Sequence, residues 1–155
     1  MHLRDYLDPS LIFTGLTTPD KRTLLEDLAR RAAAQITGVD RKALEQRMVA
    51  RERDSSTGVG EGVAIPHCFL EGLEKTACVL AQVPDGVDYD AIDEKPVFIL
   101  FMLMSPPDAR MAHLRLLARI SRVASREGFA KEAAAATTPD ELHKLIVRED
   151  RSHTG

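Results

Sequence analysis

The 155-residue chain is long enough for one domain with a sizeable core, and its 44% hydrophobic content is that of an ordinary globular protein. Its 21 basic and 24 acidic residues leave a formal charge of -3, a balance that argues against nucleic acid or an anionic membrane surface as partner. No apolar run approaches the roughly 20 residues of a membrane helix and residues 1–9 lack a signal-peptide core, so a cytosolic chain without membrane insertion is expected, its two cysteines remaining free thiols.

Taken in chain order, the elements alternate. A short apolar piece at residues 11–13 precedes Thr18-Pro19-Asp20, which supplies a cap with Pro in the first turn. Leu24, Leu25, Leu28, Ala32 and Ile36 then recur at helical spacing until Gly38. Asp40 caps a second helix, with Leu44, Met48 and Val49 inward, that runs to about Arg53. Strands are predicted at 63–65, at 77–83 before a turn at Pro84-Asp85-Gly86, and along the apolar run 97–104, where Met102 and Met104 read as strand core. Pro106-Pro107-Asp108 opens a helix with Met111, Leu114, Leu117, Ile120 and Val123 on one face. An Ala-rich helix follows around 129–136, and Thr138-Pro139-Asp140 starts the last. The alternation predicts a single α/β domain over 1–148, layered α/β/α around a central mixed sheet, with a flexible tail at 149–155.

The most informative stretch is Ser56-Thr57-Gly58-Val59-Gly60-Glu61-Gly62-Val63-Ala64-Ile65-Pro66-His67. Alternate glycines allow tight turning, a short apolar strand follows, Pro66 interrupts its ladder, and His67 is delivered to the rim of the sheet. The glycines precede a strand and lack the Gly-Lys-Ser/Thr ending of a P-loop, so a nucleotide cradle is not supported. Zinc on His67, Cys68 and His113 would need further ligands that no HxxxH or CxxC spacing supplies. A metal-dependent hydrolase is therefore the weaker alternative, and no metal or other cofactor is expected. No Gly-x-Ser-x-Gly elbow is present.

His113 falls early in the helix opened by Asp108, where unpaired amides favour an anion. Two histidines and a helix start suit a phosphoryl group, since a neutral imidazole can attack phosphorus and pass the group onward. Arg51, at the end of the second helix, would hold the phosphoryl oxygens. His2, His143 and His153 have nothing convergent near them, and Arg53, Arg115, Arg119 and Arg122 read as solvated faces.

Arg51-Glu52-Arg53, the Ser56-to-Gly60 loop, Gly62 to His67 and the downstream His113-Leu114 together resemble the enzyme IIA family of the bacterial phosphotransferase system, in its fructose/mannitol and nitrogen-regulatory branch. The resemblance covers nearly the whole chain. It implies that His67 accepts a phosphoryl group on Nε2 from an HPr-like carrier (the nitrogen-branch carrier NPr), that His113 orients the site, and that Arg51 contacts the phosphoryl oxygens. It further implies a near-site place for Glu61, while Ser56 and Thr57 read from their own chemistry as loop formers first and as backbone-capping or phosphate-neighbouring hydroxyls second. The N-terminal Asp5-Tyr6-Leu7 and the Ser-Thr-Gly loop favour a regulatory protein read by potassium-transport or sensor-kinase partners. The alternative is a sugar-specific enzyme IIA that passes phosphate to a IIB domain. Similar proteins usually place Gly after the active histidine, where this chain has Cys68. A positive φ there would strain the backbone, and the thiol would border the site.

Overall fold

The computed structural model describes residues 1–154. Its six-stranded mixed sheet is built from β1 (Ile12–Phe13), β2 (Gly58–Gly60), β3 (Val63–Ala64), β4 (His67–Phe69), β5 (Ala77–Val87) and β6 (Val97–Ser105). The helices are α1 (Lys21–Gln35), α2 (Arg41–Asp54), α3 (Arg110–Ala124), α4 (Phe129–Ala135) and α5 (Pro139–Thr154). The order β1-β5-β6-β3-β2 makes β6 the inner strand: it runs antiparallel to β5 and parallel to both β3 and β4, which follow one another along its far side. Among the described residues no helix is long and apolar enough to cross a membrane.

The long apolar run of β6 follows from cover on both faces. Leu100, Met102 and Met104 pack with Leu24 and Leu28 of α1 and Leu44 and Met48 of α2. Ile99, Phe101 and Leu103 alternate to the other face, against Leu116 and Ile120 of α3, Phe129 of α4 and Leu142 and Ile146 of α5. The expected α/β/α layering around a mixed sheet is what forms. Asp20 and Asp40 cap α1 and α2, accepting from Thr23 N at 2.8 Å and Ala43 N at 3.0 Å. Buried Gln82 ties layers together: its amide donates to Ala133 O (2.8 Å) and Ala136 O (2.6 Å), and its Oε1 accepts from Gly15 N (2.9 Å).

With Asp20 as N-cap, Pro19 lies before α1 instead of in its first turn, and four further local expectations are corrected. β5 does not stop at the Pro84-Asp85-Gly86 turn. It continues to Val87 through an irregularity in which Gln82 pairs Ile99 but Val87 pairs Val97, so the extra residues bulge while pairing resumes. Asp108 does not open α3, whose N-cap is Ala109. Met111 and Leu114 are 62% and 53% exposed rather than inward, and the buried stripe is His113, Leu116, Ile120 and Val123. A strict three-residue repeat slips about 60° around the helix per step, which sets Met111 about 180° from Ile120. Lastly, α5 runs past Arg148, because Asp150 is buried, accepting from Leu3 N at 2.8 Å and facing Arg119 Nε at 2.8 Å. Arg119 is thereby an ion-pair partner instead of a solvated face. Gly155, the end of the expected tail, lies outside the described residues.

Gly62 links β2 to β3 at φ +82°, and a Cβ there would lie 2.7 Å from Ala130 Cβ of α4. Gly62→Ala combines left-handed strain with overpacking and is expected to lower stability by about 2 kcal/mol or more, read as a reduced midpoint in urea denaturation.

Candidate active site

Pro66 cannot donate to the ladder, so the strand is interrupted between Ala64 and His67. Its carbonyl still accepts from Leu103 N at 2.9 Å, and pairing with β6 resumes at His67↔Leu103. His67 is half-buried and its Nδ1 lies 2.7 Å from Ile65 O. Only a protonated Nδ1 can bond a carbonyl, so Nδ1–H donates and the Nε2 lone pair is left free. Burial lowers the His67 pKa below its ordinary 6.5 against the upward pull of the Ile65 carbonyl, and the Arg51 charge lowers it further. The imidazole is thus neutral at pH 7.

His67 and Phe69 alternate onto the α3 face of the sheet, where His113 meets both. Ring centroids lie 5.6 Å from His67 and 4.4 Å from Phe69. His113 is only 2% exposed and occupies the fourth helical position of α3, with its backbone N already bonded to Ala109 O. It therefore contributes a side chain and not an unpaired amide. Its Nδ1 is 2.7 Å from Ser105 Oγ, while its buried Nε2 has no hydrogen-bond partner among the described residues. Burial, with a smaller contribution from His67, pulls its pKa down to about 4.

Arg51 sits in the last turn of α2, half-buried, with Nη1 donating to Ser55 O at 3.0 Å, and its charge reaches His67. The loop after it is held by Glu52, whose side chain is 6% exposed. Glu52 accepts from Thr57 N (3.1 Å), Thr57 Oγ1 and Tyr89 OH (3.0 Å), and pairs with Lys21 Nζ at 2.7 Å. Ser56 Oγ donates to Tyr89 O (3.1 Å) and accepts from Gly58 N (3.0 Å). The hydroxyls of Ser56 and Thr57 are consequently committed to the loop and are not presented to a phosphoryl group.

The structure brings His67 and His113 together, with the Arg51 charge within electrostatic reach of His67; it sets Glu61 and Cys68 apart. Glu61 is exposed in the β2–β3 turn at φ 56°, its N bonded to Asp93 Oδ2 at 2.9 Å. That turn adjoins Val63↔Ile99, four positions along β6 from His67↔Leu103, or about 13 Å by strand rise. Cys68 alternates to the opposite face of β4, among the α1/α2 core, and its φ is not positive. It carries no strain and does not border the site, and zinc ligation by His67, Cys68 and His113 together is geometrically excluded. Among the described residues no cluster of three metal-ligating side chains occurs.

Burial pushes both the Cys68 and Cys78 thiols up to about 12. Neither should react with iodoacetamide in the native protein at pH 8, whereas both should in urea. Rapid native labelling of Cys68 by mass spectrometry would contradict its placement.

Sequence reasoning missed the supporting residues: Ser105 and Thr76 behind His113, Phe69 against its ring, and Glu52, Lys21 and Tyr89 beneath the loop. Ser105 terminates the apolar run and Glu52 adjoins Arg51, yet pairings 29 or 37 residues apart leave no local signal.

The fold is a mixed sheet layered between helices, with the rings of His67 and His113 meeting at its edge and the Arg51 charge within electrostatic reach of His67. The chain belongs to the family described as "Phosphoenolpyruvate-dependent sugar phosphotransferase system, EIIA 2", whose profile matches residues 5–149. It is 32% identical over 147 residues to a nitrogen regulatory protein of Pseudomonas aeruginosa, covering 95% of this chain and 96% of that one. The crystal structure of nitrogen regulatory protein IIA-Ntr from Neisseria meningitidis superposes with a TM-score of 0.86 at 25% identity, over 93% of this chain and 98% of that one. The mannitol enzyme IIA of Escherichia coli, solved in complex with phosphorylated enzyme IIB, shares the fold at a TM-score of 0.76 and 21% identity, over 90% and 96% of the two chains. The family resemblance read from the motifs is therefore confirmed, and the chain is a phosphotransferase-system component.

Proposed function

We propose that His67 is the phosphoryl acceptor of a nitrogen-regulatory phosphocarrier, with an HPr-like phosphohistidine protein as donor. The observation that carries this reading is the Nδ1–H bond to Ile65 O, which leaves Nε2 as a neutral, oriented nucleophile. Nε2 attacks phosphorus as the P–N bond to the donor histidine breaks, and the donor imidazole keeps the electron pair. Arg51 supplies charge to the phosphoryl oxygens as they pass, and His113 contributes a hydrogen bond from a site too dry to hold its own charge. Exposed Met111 and Leu114, flanked by exposed Arg110 and Arg115, border His113 on α3 and offer an apolar, basic-rimmed surface to an incoming carrier.

The near-full-length similarity to the Pseudomonas aeruginosa regulatory protein favours the signalling role, in which the phosphorylation state is read by potassium-transport or sensor-kinase proteins. Incubation with enzyme I, phosphoenolpyruvate and an HPr-like carrier should place acid-labile phosphate on the chain. Retention of that label in the presence of IIB domains supports the regulator, and onward transfer to a IIB domain and a sugar supports the sugar-specific reading.

Because burial lowers the His67 pKa, its ring should titrate below 6.5 and phosphoryl uptake should decline only as pH falls beneath that value. A ring-nitrogen NMR titration measures the midpoint directly, and a value above 6.5 would contradict the buried, carbonyl-bonded placement.

A further inference from the structure

We propose that Ser105 and Thr76 are positioning residues that fix the tautomer of His113, placing its proton on Nε2 as a hydrogen-bond donor to a phosphoryl oxygen on His67. The three side chains form one buried line: Thr76 is 8% exposed, Ser105 0% and His113 2%. Thr76 Oγ1 donates to Ser105 Oγ at 3.0 Å, so the single Ser105 hydroxyl proton is directed elsewhere, and its other partner is His113 Nδ1 at 2.7 Å. Nδ1 then accepts, and a neutral imidazole that accepts at one nitrogen carries its proton at the other. That nitrogen, Nε2, is buried with no partner among the described residues, which is costly unless a ligand supplies an acceptor.

The sheet explains why these residues meet. Ser105 is the last residue of β6 and pairs with Phe69, two positions along from His67↔Leu103, so it faces the same side as His67. Thr76 immediately precedes Ala77↔Met104 on β5. The two strands flanking β6 thereby bring the acceptor histidine and the terminal hydroxyl to one residue of α3. Reversal of the line would leave an Nε2 lone pair facing anionic oxygens, a repulsive arrangement for the transferred group.

The purpose of the line rests on phosphoryl acceptance at His67, but its existence can be measured without phosphate. Long-range proton–nitrogen NMR of the unphosphorylated full chain at pH 7 should show His113 as the Nε2–H form. Ser105→Ala should give a mixture of tautomers and Ser105→Thr should restore the single form. Phosphoryl uptake from a phosphorylated HPr-like carrier should then show kcat about tenfold lower in Ser105→Ala with KM little changed, the size of effect that losing the second partner of an oriented imidazole has at metal sites. Thr76→Val, which frees the Ser105 hydroxyl to rotate, should shift the tautomers in the same direction and serves if Ser105→Ala fails to fold. Observation of Nδ1–H at His113 in the wild type, or an unchanged tautomer in the folded variants, overturns the proposal. The expected tautomer shifts in a protein that takes up no phosphate would overturn the acceptor reading and leave the hydrogen-bonded line standing.

Discussion

His67→Ala is expected to take up no phosphate from the phosphorylated carrier, while His143→Ala is labelled as the wild type is. The reasoning is local. Among the described residues only His67 combines a free Nε2, a fixed tautomer and an edge position open enough to be half-buried. His113 is 2% exposed and its Nδ1 is already engaged, so it cannot take over as nucleophile. The substitution removes one side-chain hydrogen bond, to Ile65 O, and should cost about 1 kcal/mol of stability, leaving the fold intact for the assay. Acid-labile phosphate measured on folded His67→Ala at more than trace level would remove His67 from its proposed role.

Glu52→Ala should lower stability by about 3–5 kcal/mol, because it removes one side of a largely buried ion pair. Lys21, whose side chain is 18% exposed, would lose the carboxylate 2.7 Å from its Nζ. Thr57 N would lose its acceptor at 3.1 Å, and the Tyr89 hydroxyl its acceptor at 3.0 Å. These bonds also fasten the loop that follows Arg51, so phosphoryl uptake should fall along with the urea midpoint. Glu52→Gln, which can still accept from Thr57 N, should lie between the two. A wild-type midpoint for folded Glu52→Ala would show that the cluster contributes little.

The layers, the caps of α2 and α1 and the rim position of the candidate imidazole were legible in the sequence because each is a local pattern. Asp20 and Asp40 precede apolar helical spacing, β6 is a continuous apolar run, and Pro66-His67 follows an apolar strand. The helical face of α3 was misread because a three-residue repeat of Met111, Leu114 and Leu117 resembles a stripe but winds around the helix. The β5 bulge was misread because Pro84 and Gly86 signal a turn, while the antiparallel partner captures Val87 beyond them. Cys68 and Glu61 were misplaced relative to His67 for a common reason: sequence proximity says nothing about which face or end of a sheet a residue occupies until the register with β6 is known. The supporting residues Thr76 and Tyr89 are joined to the site by hydrogen bonds to Ser105 and Glu52, 29 and 37 residues away in the sequence.

The central position of β6 also dictates an order of assembly. β3, β4 and β5 all precede β6 in the chain and all take it as their hydrogen-bonding partner, and β1 reaches the sheet only through β5, pairing Ile12 with Leu80. During synthesis, β3 and the His67 strand emerge before their shared partner, with only the local β2–β3 pairing within reach, and they wait until residues 97–105 and then α3 follow. Contacts of such long sequence separation form late and slowly. The proposed phosphoryl-accepting edge should therefore be among the last parts of the protein to mature, with β3, β4 and β5 exposed to mispairing until β6 arrives.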